Sequence, residues 1–250
     1  PYKLYVRFTG VDRNDEQLQV LISELDIEVS EILRIKKDGY SDILWEVTKF
    51  AQLLQQYNKV FVGSYYSRIL KFLASVARKK DLVFLDDGVA TYLAQESIKR
   101  VNRKYSLFTL FDIKPLEGQK VWNHKFEALR GKFSPATYHG RAFIGQNLFS
   151  SGSLSSEDYV AFITRLAASN DLPLLYIPHR TEPKEVVCRI ANVHNVDVRY
   201  PASGIELFFL KNDYVPSMFY SVCSTAVFSL SAIFPQSKFF IVSPNGYDPS

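Results

Sequence analysis

An apolar run, Leu82-Val83-Phe84-Leu85, stops abruptly at Asp86-Asp87-Gly88. A carboxylate at the carboxyl end of a buried strand faces the ligand side of a parallel sheet, where it can take a proton from an attacking hydroxyl. Two adjacent carboxylates with a glycine also suit magnesium, and a bare tripeptide of this kind equally suits a helix cap and a turn. A second cluster, Pro178-His179-Arg180, lies between an apolar run and the helix opening Thr181-Glu182-Pro183. Helix N-termini favour anions, and an imidazole with a guanidinium beside one can clamp a phosphate. Thr181 reads as the N-cap of that helix, with Pro183 in its first turn.

A third cluster, Ser221-Val222-Cys223-Ser224-Thr225, offers hydroxyls at the start of an apolar helix. They can hold a phosphate or cap the helix. Between the last two clusters, Ser203-Gly204-Ile205-Glu206 carries a carboxylate after a flexible turn, suited to a ribose diol. Ser64 and Tyr65, after the short strand at 60–62, are acceptor-side candidates. His124, His139 and His194 have weaker surroundings and read as structural.

The elements that must position these groups alternate between strand and helix. Strand-like stretches fall at 2–8, 27–35, 60–62, 82–85, 142–144, 174–177, 196–200, 207–210 and 238–242. Helical periodicity marks 41–57, 67–77, 91–101, 156–168 and 222–234. Such alternation predicts an α/β chain with mainly parallel sheets. The stretch 113–140, with Pro115, Gly118, Gly131, Pro135 and Gly140, reads as irregular, and the inter-domain connection is expected near its end. The domains are therefore expected at 1–140 and 141–250.

The chain has 250 residues, 47% hydrophobic and 22% charged, which is ordinary globular composition. A net charge of +4 is too small for a nucleic-acid footprint. Lys99, Arg100, Arg103 and Lys104 form a local basic excess. It reads as a solvated helix face leading into a buried strand, with a peripheral membrane anchor as the alternative. Cys188 and Cys223 read as buried free thiols rather than a disulfide or a metal pair. No stretch of 18 apolar residues and no signal-peptide pattern occurs. The sequence begins at Pro1 rather than Met, which leaves room for a preceding segment and a targeting signal within it.

Taken in order, the clusters resemble bacterial sialyltransferases of the lipooligosaccharide and capsule polysialic-acid groups. Those share an acidic D/E-D/E-G motif, a later His-Pro motif and then a Ser-Ser or Ser-Thr motif. The matches here are Asp86-Asp87-Gly88, His179 and Ser224-Thr225, spanning residues 59–234. One departure is visible: the proline precedes His179, and Arg180 follows it.

The resemblance implies a GT-B fold, two Rossmann-like domains with a cleft between them, carrying acceptor and base on the N-terminal side and donor on the C-terminal side. It implies inverting, metal-independent transfer from a CMP-sugar, typically CMP-sialic acid, to a glycan acceptor in surface polysaccharide or lipooligosaccharide synthesis. No cofactor is expected beyond the co-substrate. By that likeness Asp86 is the general base, supported by Asp87 and Gly88, and His179 assists departure of CMP. Ser224 and Thr225 hold its phosphate and Glu206 its ribose, and Arg180 and Gly204 complete the expected donor-nucleotide site. The expected location is cytoplasmic, with peripheral attachment to the inner face of the bacterial inner membrane left open. A UDP-, GDP- or CMP-Kdo-dependent GT-B transferase and a non-catalytic sugar-binding module remain as alternatives.

Overall fold

Strands buried on both faces read as unbroken apolar runs, because helices cover each side of a parallel sheet. This is why Leu82–Phe84 and Leu174–Ile177 are strands in the computed structural model, which describes residues 3–8, 12–34, 48, 51–63, 65–66, 72, 81–100, 105–148 and 154–244. The chain divides into two compact units, Pro1–Lys125 and Phe126–Ser250.

The first unit holds β1 (Tyr5–Phe8), α1 (Asp12–Glu24), β2 (Glu31–Arg34), β3 (Lys59–Val62), β4 (Asp81–Leu85), α2 (Ala90–Ile98), β5 (Ser106–Thr109) and β6 (Val121–Asn123). Strands β1 and β2 pair in parallel, and β3-β4-β5-β6 form a four-stranded sheet, also parallel throughout. Leu82, Phe84 and Leu107 from that sheet pack with Ala94 and Ile98 of α2 and with Tyr65 and Phe111.

The second unit holds α3 (Glu127–Lys132), β7 (Ala136–Ile144), α4 (Ser156–Ala168), β8 (Leu174–Ile177), α5 (Lys184–Ala191), β9 (Val196–Val198), α6 (Ile205–Leu210), β10 (Tyr214–Ser221), α7 (Ala226–Ile233) and β11 (Lys238–Ile241). Its five strands are all parallel in the order β11-β10-β7-β8-β9. The chain therefore winds outward from β7 in one direction through β8 and β9, then returns to β7's other side with β10 and β11. That reversal is the crevice where doubly wound sheets bind ligands.

Helix α4 starts as its sequence directs: the Ser155 side chain accepts the Asp158 N–H at 3.1 Å, and Tyr159, Phe162, Ile163 and Ala167 are buried. Its far end is closed by Arg141 of β7, which is 1% exposed. That guanidinium donates to the carbonyls of Leu166 (2.9 Å), Ala167 (3.0 Å), Asn170 (3.0 Å) and Leu172 (3.1 Å). A cation at a helix C-terminus meets both the orphan carbonyls and the dipole.

Several expectations change. The boundary between units falls at Lys125/Phe126, ahead of the expected position near Gly140, because β7 already begins at Ala136. The stretch 113–140 is not irregular throughout: it contributes β6, α3 and the start of β7. Residues 207–210 belong to helix α6 and not to a strand, a short apolar run being ambiguous by periodicity alone. The helix expected over 222–234 starts only at Ala226, after β10. Thr181 is not an N-cap; Pro183 occupies that position for α5. Cys188 and Cys223 are free but exposed: α5 buries Val186, Val187 and Ile190 instead of Cys188, and Cys223 lies in the loop between β10 and α7. Most of the helices expected over 41–57 and 67–77 lies outside the described residues, as do Ser64, Arg103 and Lys104.

Candidate active site

In the second unit the carboxyl ends of β7, β8 and β10 are tied together by polar bonds. The Ser221 hydroxyl donates to the Ile144 carbonyl at 3.1 Å, the Gly145 N–H to the Ile177 carbonyl at 2.8 Å, and the Cys223 N–H to Gln146 Oε1 at 2.8 Å. The Ser224 N–H donates to Ser221 Oγ at 3.2 Å, which fixes the loop leading to α7. Thr225, at the N-cap position of α7, is exposed and makes no side-chain cap, so helix capping does not account for its hydroxyl.

His179 is exposed just past β8. Its Nδ1 accepts the Thr181 N–H at 3.3 Å and lies 2.9 Å from Thr181 Oγ1. A neutral imidazole whose Nδ1 accepts carries its proton on Nε2, the arrangement of a donor. Asn147 Nδ2 steadies the same turn by donating to the Thr181 carbonyl at 2.9 Å.

Beneath His179 lies a buried polar chain. Glu182 Oε2 accepts the His179 N–H at 2.5 Å, and Glu182 Oε1 accepts the Tyr176 hydroxyl at 2.5 Å. Tyr159 and Tyr176 hydroxyls meet at 3.0 Å, and the Gln146 N–H reaches Tyr159 at 3.4 Å. Burial pushes the Glu182 carboxyl up to about 7, against the opposing pull of its hydrogen-bond donors. Burial likewise raises both tyrosines well above their ordinary value. Gly145 is required here for space: a Cβ would stand 2.5 Å from Glu182 Oε2 and 2.8 Å from the Tyr176 hydroxyl.

Hydrogen bonds thus run from the His179 N–H through Glu182, Tyr176, Tyr159 and Gln146 to the Cys223 N–H, next to Ser224, while Ser221 separately holds the Ser224 N–H. Glu206, in the first turn of α6 after Gly204, accepts the Ser229 hydroxyl of α7, the helix that Ser224 and Thr225 precede. The expected donor residues therefore all lie beyond strand ends of one unit, Ser224, Thr225, Gly204 and Glu206 at the starts of α7 and α6 and His179 in the turn between β8 and α5. Arg180 is exposed beside His179. Glu182, Tyr176, Tyr159, Gly145 and Gln146 were not singled out from sequence. A glycine directly after a buried strand was the one available sign.

In the first unit Asp86 follows β4. Its Oδ1 accepts the Thr91 hydroxyl at 3.2 Å and its Oδ2 the Leu110 N–H at 2.6 Å. Thr91 Oγ1 also accepts the Asp87 N–H at 3.1 Å, and Gly88 completes the turn at φ 58°, a conformation that favours glycine. His124, directly after β6, brings Nε2 to 3.4 Å from Asp86 Oδ2. Its ring stacks on Phe108 of β5 with centroids 4.5 Å apart and planes 9° apart. His124 is thus no isolated structural histidine; it is paired with the carboxylate at the sheet edge.

Asp87 is exposed and lines a small pocket, of about 10 Å³, with Tyr65, Tyr66 and Thr91. Tyr65 itself is buried, edge-on to Phe84 and Tyr105, and Tyr66 is the exposed ring of the pair. Among the described residues no group of three or more His, Cys, Asp and Glu could hold a metal ion, and no helix is long and apolar enough to cross a membrane.

No protein-family model matches the sequence, and no curated protein matches it. Solved structures do resemble the fold. A UDP-GlcNAc 2-epimerase from Neisseria meningitidis bound to UDP-GlcNAc matches at TM-score 0.52 and 15% identity, over 90% of this chain and 71% of that one. A protein assigned as a UDP-N-acetylglucosamine 2-epimerase from Listeria monocytogenes matches at TM-score 0.57 and 11% identity, over 90% and 67%. A glycosyltransferase from Rickettsia africae matches at TM-score 0.47 and 11% identity, over 98% and 81%. The first two carry the fold: the chain is α/β of the GT-B type, with two Rossmann-like sets of parallel strands.

Proposed function

We propose that this chain transfers a glycosyl group from a nucleotide-sugar to a hydroxyl acceptor, with a CMP-activated nonulosonic acid such as CMP-sialic acid as donor. The hydrogen-bonded frame at the strand ends carries the reading, because it holds the backbones of His179, Cys223 and Ser224 beside the β7–β10 crevice. A sialyl transition state is oxocarbenium-like, so the charge to be met develops on the departing phosphate. His179 Nε2–H, Arg180 and the hydroxyls of Ser224 and Thr225 meet a single phosphate, and Glu206 takes the ribose. One guanidinium and one imidazole suit a monophosphate leaving group better than a diphosphate. Attack on the anomeric carbon requires a deprotonated acceptor hydroxyl, and that proton is taken at the carboxylate cluster built on Asp86. A glycan acceptor is expected on the surface beside Asp87 and Tyr66, with the enzyme working without a metal.

A second reading has one observation in its favour: the Neisseria neighbour holds UDP-GlcNAc. On that reading the same crevice takes a UDP-sugar for transfer or epimerisation. Thermal unfolding with CMP, UDP and GDP separates the two. Ligand at 100 times its Kd stabilises the folded chain by about 2.7 kcal/mol, a rise of roughly 5–11 °C in a chain this size. A rise with CMP alone supports the first reading, and a rise with UDP alone supports the second. No rise with any of the three at millimolar concentration removes nucleotide-sugar chemistry altogether.

A further inference from the structure

We propose that Glu182 is a positioning residue of the nucleotide site, and that phosphate capture there is coupled to the protonation of its carboxyl. The inference rests on the reading above that the β7–β10 crevice holds a nucleotide phosphate, and it names what regulates that capture. Glu182 is 8% exposed, yet its carboxyl is bonded directly to the backbone at the crevice. Oε2 accepts the His179 N–H at 2.5 Å, and the Glu182 N–H donates to the His179 carbonyl at 3.0 Å. Carboxyl and turn are thus tied in both directions.

The other oxygen ends a chain of donors. Each tyrosine has one hydroxyl proton. Tyr176 gives its proton to Glu182 Oε1 at 2.5 Å, so Tyr159 is the donor in the 3.0 Å pair of hydroxyls. The Gln146 N–H donates in turn to Tyr159 at 3.4 Å. These donors all point towards Glu182, and all are neutral. Tyr159 belongs to α4 and Tyr176 to β8, while the end of β7 brings Gly145 and Gln146, which do not titrate. Cys223, after β10, acts on Tyr159, and His179 shares the turn with Glu182. Arg180, Lys184 and Glu185 are exposed.

A buried carboxylate whose donors are all neutral is costly as an anion. A phosphate beside His179 and Ser224 makes it costlier, because two negative charges then share the strand ends of one unit. Protonation of Glu182 removes that repulsion. At an effective dielectric of about 20 the repulsion amounts to roughly a tenfold change in affinity. Linkage fixes the direction: a ligand that disfavours the anion raises the proton affinity of the carboxyl, and the proton raises affinity for the ligand by the same factor. Burial holds the carboxyl up at about 7, so affinity is at its full value below that and falls about tenfold as pH rises through the unit above it.

The test is calorimetric titration of the full chain between pH 6 and pH 9 with CMP, UDP or GDP, whichever stabilises it. Glu182→Gln, His179→Ala and Tyr176→Phe are measured beside the parent, because the imidazole and the phosphate also titrate near this range. From pH 6 to pH 9 the parent is expected to lose about tenfold more affinity than Glu182→Gln, which carries no charge at either pH. His179→Ala is expected to bind more weakly and to keep that tenfold share. Tyr176→Phe removes a donor that steadies the carboxylate, so the midpoint of the fall is expected at higher pH. Parallel falls in the parent and Glu182→Gln overturn the inference. So does a flat response in His179→Ala, which assigns the dependence to the imidazole. Should Glu182→Gln not fold, Tyr176→Phe decides, and an unmoved midpoint overturns the inference. A parent that binds none of the three nucleotides overturns the nucleotide reading itself, an outcome distinct from binding without this pH dependence.

Discussion

Replacing Glu182 by glutamine should abolish a pH dependence of stability that is written into the second unit. Glu182 is 8% exposed, and its carboxyl is held up at about 7 rather than the ordinary 4.5. Below pH 4.5 the folded and unfolded chains both carry the proton, and the contribution to stability is complete. Between 4.5 and 7 the unfolded chain releases a proton that the folded chain keeps. Stability then falls by about 1.4 kcal/mol per pH unit. Above 7 the loss is complete and amounts to about 3 kcal/mol, or roughly 6–12 °C in Tm for a chain of this length. Glutamine has no proton to lose. It keeps an acceptor for the Tyr176 hydroxyl but sets an NH2 against the His179 N–H, at a pH-independent cost of about 1–3 kcal/mol. The assay is thermal unfolding of parent and Glu182→Gln from pH 4 to 8. The parent should lose its advantage steadily across that range and become the less favoured partner or the equal of the variant at the alkaline end. Parallel curves would show that Glu182 titrates alike in folded and unfolded chains, and the burial argument would fall.

Two further substitutions test the same unit. Gly145→Ala puts a methyl 2.5 Å from Glu182 Oε2 and 3.0 Å from the Ile177 carbonyl, so it should cost about 1–3 kcal/mol and weaken nucleotide-induced stabilisation. A variant with parent Tm and parent nucleotide response would show that the crevice has room to spare. Arg141→Met strands the carbonyls at the end of α4, and urea unfolding should show a loss of at least about 3 kcal/mol, given roughly 1–3 per unsatisfied buried group. A loss under about 1 kcal/mol would mean water replaces the guanidinium freely.

The parts of the fold legible in the sequence are those where local pattern and tertiary role agree. Leu82–Phe84 and Leu174–Ile177 are apolar without interruption, and both are buried strands whose ends carry Asp86 and His179. Helix α4 runs over the expected residues because Ser155 caps it and its apolar face has helical spacing. Strand β10 escaped notice because Pro216 and Ser217 interrupt its apolar residues. The register indeed shifts between Pro216 and Met218, where a proline is tolerated in a sheet. Glu182 stood in the sequence only as part of the helix opening Thr181-Glu182-Pro183, and its burial comes from Gly145 after β7 and Tyr176 of β8. His124 sits in a stretch rich in Pro and Gly. Its meaning comes from β6 lying beside β5, a neighbour relation that residue spacing does not encode.

The amides of Gly145, His179 and Cys223 already donate to protein acceptors at the strand ends of the second unit. Their protons should therefore exchange slowly with solvent before any ligand arrives, at rates set by opening of the sheet rather than by loop fraying. A receptor ordered in advance loses little conformational entropy on capture. On the proposed reading, selectivity among nucleotides falls to the exposed side chains of Arg180 and Thr225 beside this frame, and exchanging them is expected to retune the ligand without rebuilding the scaffold.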